Sequence, residues 1–201
     1  MTAIVTGGTS GLGSAVVELL RSRGTRVVTV SRREAANVAG DAARRETAER
    51  AIAAAGEVDL LVNCAGVGIY GPAGSYDDDA IAQLLDANLV STIVFCDALA
   101  PGMMRDGGTI VNVLSSAALI GKANETVYCA AKWGARGYTE ALRAEANGTK
   151  LRVISIAPGG MDTPFWPEQR AGFMDPAEVA AAIVDAIFSP LYVSEIVVTR
   201  G

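Results

Sequence analysis

Short apolar runs bounded by glycine, asparagine, serine or aspartate alternate along the chain with longer, Ala-rich stretches whose apolar positions recur at helical spacing. The runs predict strands at Ala3–Val5, Arg26–Val30, Val38–Ala39, Asp59–Asn63, Thr109–Leu114, Arg152–Ile156 and Tyr192–Val198. The longer stretches predict helices at Leu12–Arg23, Ala42–Ala55, Asp79–Met104, Thr126–Ala146 and Pro176–Phe188. The strand runs are almost continuously apolar, which is the pattern of a sheet covered on both faces. The expected fold class is therefore α/β: one Rossmann-like, doubly wound parallel sheet of about seven strands flanked by helices, with all 201 residues in a single domain.

Punctuation agrees with these bounds. Gly24 and Gly148 stand where helices stop, and Asp175-Pro176 reads as an N-cap followed by proline at the first helical position. Asp77-Asp78-Asp79 opens a helix, where carboxylates meet the positive end of the dipole, a reading favoured over metal binding. Half the residues are apolar and 19% are charged, so the chain carries enough apolar surface to build a core. The net charge of −5 argues against a general grip on nucleic acid or acidic membranes. With no histidine, Ser-His-Asp and Cys-His chemistry and His-ligated metal are excluded, and proton transfer falls to Tyr, Lys, Asp, Glu or Cys. Cys64, Cys96 and Cys129 are too few and too scattered for a disulfide framework or a zinc site, so no metal is expected. The N-terminus reads as a first strand rather than a signal, and every long apolar stretch is interrupted by a charge or a breaker; a soluble, cytoplasmic protein is expected.

The first candidate chemistry lies between strand and helix. Thr6-Gly7-Gly8-Thr9-Ser10-Gly11-Leu12-Gly13 follows the first strand and opens the first helix, the context in which backbone N–H groups cradle a dinucleotide pyrophosphate. Gly7 and Gly11 would allow the tight turn and Gly13 the close packing of helix on strand. The second strand ends in Ser31-Arg32-Arg33, with no carboxylate to accept from a ribose 2′-hydroxyl but two cations suited to a 2′-phosphate. NADP(H) is therefore favoured over NAD(H), with Ser31 and Arg32 as its readers; the alternative is a solvated basic loop.

The spacing TGxxxGxG resembles that of the short-chain dehydrogenases/reductases, and the resemblance recurs along the chain. Asn63-Cys64-Ala65-Gly66 is similar to the family's NNAG element, with cysteine in its second place. Asn88, Ser115 and Tyr128 with Lys132 (YxxxK) stand where the family keeps its catalytic residues, and Pro158-Gly159 with Thr163 resembles its PG element. The resemblance implies cofactor contacts from Gly7, Thr9, Ser10, Gly11, Leu12, Gly13, Asn63, Ala65, Gly66, Tyr128, Lys132, Pro158, Gly159 and Thr163. Asp41 matches an aspartate that holds the adenine amine, although it could equally cap a helix beginning at Ala42. The chain departs from its relatives between Ser31 and Val38, where about six residues leave no room for the usual crossover helix, and a short link between parallel strands is hard to build.

Four residues apart on a helix, Tyr128 and Lys132 share one face. A phenol with pKa near 10 needs about 4 kcal/mol to act near neutrality, roughly what one ammonium at ~4 Å supplies at an effective dielectric near 20. Tyr128 is thus the expected proton donor, Lys132 its activator and Ser115 the partner of the developing alkoxide; the family resemblance implies that Asn88 holds a relay water. Ser116 competes with Ser115, and Cys129 should face away as packing. Phe165, Trp166 and Phe173 fall in the Met161–Met174 segment, which suggests a small carbonyl or alcohol substrate that is uncharged or partly hydrophobic, with Glu168 and Arg170 as candidate gates; equally, these rings could serve only to pack that segment. The two long helices resemble those that pair between subunits in this family, which implies a homodimer or homotetramer. A catalytically silent nucleotide sensor with the same fold is the competing reading, and a nucleotide-sugar epimerase the more distant one.

Overall fold

The computed structural model describes residues 1–166 and 172–200. Seven parallel strands form one sheet in the order β3-β2-β1-β4-β5-β6-β7: β1 Thr2–Thr6, β2 Arg26–Ser31, β3 Val38–Ala39, β4 Leu60–Asn63, β5 Gly108–Val113, β6 Leu151–Pro158 and β7 Glu195–Val198. Helices α1 (Gly11–Ser22) and α6 (Pro176–Phe188) cover one face; α2 (Arg45–Ala55), α4 (Ser91–Asp106) and α5 (Thr126–Glu145) cover the other. Strand alternation divides the core accordingly. Ala3 and Val5 of β1 join Val16, Leu20 and Ile183, whereas Ile4 joins Phe95, Leu99 and Ile110. Each such fully buried large side chain contributes about 1.5–3 kcal/mol.

The sequence order reverses between β1 and β4, which is the switch point where an open parallel sheet leaves a crevice at the carboxyl ends of its strands. The helix ends follow their capping residues. Asp77 accepts from the Ala80 amide at 2.8 Å and starts α3 (Asp78–Leu85), and Asp175 accepts from the Ala177 amide at 2.8 Å ahead of Pro176.

Four expectations need correction. The helix expected over Asp79–Met104 is α3, a π-helical turn at Asp86–Val90, and α4. Its combined span, Asp78–Asp106, is long and apolar enough to cross a membrane, but Phe95, Leu99 and Met103 pack in the core, and Asp86 and Asp97 pair with Arg44 and Arg45 at 3.0 and 2.6 Å. The second helix begins at Arg45 rather than Ala42, because Asp41 accepts from the Ala43 amide at 2.9 Å and closes a turn first. The last strand begins at Glu195 rather than Tyr192: the Tyr192 hydroxyl donates to the Val153 carbonyl at 3.0 Å and accepts from its amide at 3.3 Å, a side chain standing where a strand would pair. As an edge strand, β7 alternates in exposure instead of being buried on both faces.

The short crossover is built with a side chain. Residues Arg32 to Asn37 connect β2 to a β3 of only two residues, paired Val30 with Val38 and Ser31 with Ala39. Asn37 makes this possible: its Oδ1 accepts from the Thr29 amide and hydroxyl, both at 2.9 Å, and its amide donates to the Thr29 hydroxyl at 3.0 Å. One asparagine thus replaces ladder bonds that a longer strand would supply. Asn37→Ala leaves the Thr29 amide without its acceptor and is expected to lower unfolding free energy by about 1–3 kcal/mol in urea titrations; a loss below about 0.5 kcal/mol would contradict this role.

Candidate active site

A cleft of about 810 Å³ opens over the carboxyl ends of the strands. One wall is the turn from β1 into α1. Gly7 and Gly11 have φ of 67° and 52°, the left-handed region that glycine adopts without strain. A Cβ on Gly13 would collide with the Gly7 carbonyl oxygen, so only glycine lets α1 lie this close to the strand. Ser10 at the N-cap makes no side-chain cap, and no acid occupies the first turn of α1. The helix N-terminus therefore presents its amide groups and positive dipole end to the cleft, which suits an anion. The Thr6 hydroxyl, accepting from the Cys64 and Ala65 amides at 3.1 Å each, ties this turn to the loop after β4.

At the far end of the cleft the Ser31 hydroxyl joins Thr9 at 2.9 Å to the Arg33 amide at 3.1 Å, which fixes the end of β2 against the glycine turn. Arg32 and Arg33 line the cleft and form no ion pair among the described residues. Asp41 also lines it, but its carboxylate is engaged by the Ala43 amide in a turn and lies 3.6 Å from Arg44, so it does not cap a helix at Ala42.

The opposite wall is built by α5. Tyr128 and Lys132, both buried, share its inner face, with the Lys132 Nζ 5.9 Å from the Tyr128 ring centroid and donating to the Val113 carbonyl at 3.1 Å. The Ser115 hydroxyl, at the end of β5, hydrogen-bonds the phenol and accepts from the Ala117 amide at 3.1 Å. Ser116 is held elsewhere, accepting from Lys122 Nζ at 2.8 Å. Asn88 sits in the π-helical turn, a local widening common at functional sites. Its Nδ2 donates to the Val67 and Leu84 carbonyls at 2.8 and 3.0 Å, while its Oδ1 is buried without a hydrogen-bond partner. A Cβ on Gly66 would fall 2.7 Å from that oxygen and 3.9 Å from Lys132 Nζ, so the space left by its missing side chain borders both.

All of the expected site residues line the cleft except Asn63. Its side chain points into the core beneath α4, donating to Asn112 Oδ1 at 2.9 Å and approaching Cys96 Sγ at 3.3 Å. Asn112 passes the chain on to the Thr139 hydroxyl of α5 at 2.9 Å, so Asn63 is a strut under the site rather than part of its surface. Cys129 packs with Leu84 and Ala117, as its helical position implies. Glu168 and Arg170 lie outside the described residues. Among the cleft residues absent from the expected site, two bear on its chemistry. Cys64 lies within electrostatic reach of Lys132, and Tyr70 stacks on Trp166 with centroids 5.0 Å apart; a tyrosine amid the glycines of the loop after β4 was the available signal.

These features place the chain among known proteins. Residues 34–172 match the short chain dehydrogenase family. The chain belongs to the short-chain dehydrogenase/reductase family. It is 31% identical to carbonyl reductase family member 4 of Danio rerio over 99% of this chain and 96% of that protein, and 34% identical to L-xylulose reductase of Bos taurus over 92% and 80%. A short-chain dehydrogenase of Burkholderia cenocepacia J2315, solved in complex with NADP, superposes with TM-score 0.90 at 29% identity, covering 99% of this chain and 88% of that one. This short-chain dehydrogenase/reductase thus carries the fold of an oxidoreductase family whose members include enzymes of alcohols and carbonyls.

Electrostatics departs from the simple expectation. Burial pushes the Tyr128 phenol up to about 12; the Ser115 hydrogen bond pulls it down, and Glu125 and Cys129 push it further up. Burial also brings the Lys132 ammonium down to about 8, opposed by Cys64. Desolvation thus dominates the phenol in the chain alone, and the group that pulls it down is Ser115 rather than the expected ammonium. Below pH 8 the folded and unfolded chains both hold the Lys132 proton, and the fold bears the full cost of a buried ammonium. Between about 8 and the ordinary 10.5 the unfolded chain binds more protons, so this residue's contribution to stability rises with pH. Cys64, Cys96, Tyr128 and Tyr138 are shifted upward and act in the opposite sense at higher pH, so the wild-type-minus-variant difference is what isolates the lysine. Relative to Lys132→Met, the wild type is expected to gain up to roughly 3 kcal/mol between pH 7 and 10.5 in urea unfolding. Parallel profiles would contradict the assignment.

Proposed function

We propose that this protein is an NADP(H)-dependent oxidoreductase that interconverts a small carbonyl and its alcohol. The observation that carries the reading is the convergence of Tyr128, Ser115, Lys132 and Asn88 on one wall of the cleft, facing a glycine turn suited to a pyrophosphate. The residues present fit a nicotinamide dinucleotide: the turn requires glycine, the N-terminus of α1 is uncapped by side chains, and the buried Asn88 Oδ1 needs a donor.

The amides of the turn and of α1 would hold the pyrophosphate, Thr9, Ser31 and Arg32 the 2′-phosphate end, and Ala65, Gly66, Pro158, Gly159 and Thr163 the nicotinamide half. Asp41 would border the adenine, and Asn63 would act from below as a strut. Bound there, the nicotinamide supplies or accepts the hydride. Tyr128 gives its phenolic proton to the carbonyl oxygen as that oxygen gains charge, and Ser115 donates a hydrogen bond to the same oxygen. Lys132 replaces the proton through a water held by Asn88 Oδ1. Carbonyl, hydride and proton together make the alcohol, and the steps reverse for oxidation.

NADP over NAD is supported by Arg32 and Arg33 after β2, which form no ion pair among the described residues, and by the absence of an acid in Ser31-Arg32-Arg33, and agrees with the NADP-bound Burkholderia relative. The three free cysteines accord with a reducing, cytoplasmic setting, and the half-exposed Trp133 on α5 with self-association through that helix. Absorbance assays with NADPH and a ketone panel test both halves of the proposal. Tyr128→Phe is expected to lower kcat by about 10²–10⁴-fold while NADPH still binds, and Arg32→Ala to raise the KM for NADPH roughly 10- to 100-fold without changing that for NADH. Undiminished turnover in the first variant would remove Tyr128 from the mechanism, and equal loss toward both cofactors in the second would remove the phosphate contact.

A further inference from the structure

Resting on the carbonyl-reductase reading above, we infer that the substrate is an aryl carbonyl compound, one that carries a flat aromatic ring next to the reacting C=O. The side of the cleft beyond the Tyr128 hydroxyl is walled by rings. Tyr70 meets Tyr128 edge-on with centroids 5.7 Å apart, Phe165 lies 5.9 Å from Tyr128 at a tilt of 58°, and Trp166 stacks on Tyr70 at 5.0 Å and 14°. All four rings line the same open volume as Ser115.

Three different segments supply them: the loop after β4, the start of α5 and the segment after β6. Such an arrangement offers a substrate ring both faces and edges, the geometry in which aromatic pairs attract beyond the contribution of buried area alone. Gly68 lets these rings close in on the loop, since a Cβ there would come within 2.7 Å of both the Tyr70 hydroxyl and the Phe165 ring. Val67 and Ile69 add aliphatic surface to the same cluster.

The polar groups nearby do not suit a sugar. Lys122 is held by Ser116, and Arg200, over the Phe173 ring at 5.2 Å, donates to the Gly172 carbonyl at 3.0 Å; Glu125 and Gln83 also line the cleft. A polyhydroxylated ketone would bury hydroxyls against rings with few partners, whereas a planar ring would lose little on leaving water. This separates the chain from its L-xylulose reductase relative despite their 34% identity.

The test uses the intact protein saturated with NADP⁺ and three ketones: acetophenone, its saturated analogue cyclohexyl methyl ketone, and the ketose erythrulose. In calorimetric titrations acetophenone is expected to bind about tenfold tighter than cyclohexyl methyl ketone, and in NADPH oxidation its kcat/KM should exceed the saturated analogue's by a similar factor. It should exceed that of erythrulose by about a hundredfold. Tyr70→Ala and Trp166→Ala should each bring the first ratio toward one. Binding of acetophenone no tighter than that of its saturated analogue, or erythrulose turned over as well as acetophenone, overturns the inference. Selective acetophenone binding without reduction of any ketone would sustain the aryl subsite and overturn the hydride-transfer reading instead. Tyr128-dependent reduction without discrimination among the three would do the reverse.

Discussion

The site depends on one costly placement, an ammonium held almost out of water. Lys132 Nζ is buried at the cleft floor with a main-chain carbonyl, that of Val113, as its hydrogen-bond acceptor and, among the described residues, no carboxylate paired with it. A charge so placed is tolerated only where the surroundings are organised to tolerate it. The organisation is visible in the parts that converge on it: the end of β5, the widened turn bearing Asn88, the bare Gly66 backbone and the inner face of α5.

Below that floor a buried polar chain fixes α5 to the sheet. Asn63 on β4, Asn112 on β5 and Thr139 on α5 are joined by hydrogen bonds of 2.9 Å, and Thr139 bonds back to the Ala135 carbonyl at 2.7 Å. Such a network in a low-dielectric interior is intolerant of displacement. Register between strand and helix is thereby transmitted to Tyr128 and Lys132, which lie toward the N-terminus of the same helix.

Much of this was legible in the sequence. Continuous apolar runs gave the sheet because burial on both faces leaves no room for polar alternation, and Asp77 and Asp175 marked helix starts because a carboxylate there satisfies an amide that nothing else reaches. The glycine turn was readable because a Cβ at Gly13 has nowhere to go. What escaped was set by tertiary contact. The π-helical turn at Asn88 leaves the helical periodicity almost intact, so Asp79–Met104 read as one helix. The replacement of strand pairing by the side chains of Asn37 and Tyr192 is a long-range event that no local pattern encodes. The direction of Asn63 followed from which face of β4 it occupies, which a motif match does not state.

The account's central claim is that the phenol and ammonium on α5, both made reluctant to ionise by burial, become a working acid-base pair when a positively charged pyridine ring shares their cleft. The most direct measurement is the titration of the Tyr128 ring carbon by NMR in ¹³C-tyrosine-labelled protein, alone and saturated with NADP⁺. The account predicts a midpoint near 12 for the protein alone, falling to roughly 9 or below in the complex and remaining high in the Lys132→Met complex. A midpoint that stays near 12 with NADP⁺ bound would contradict it.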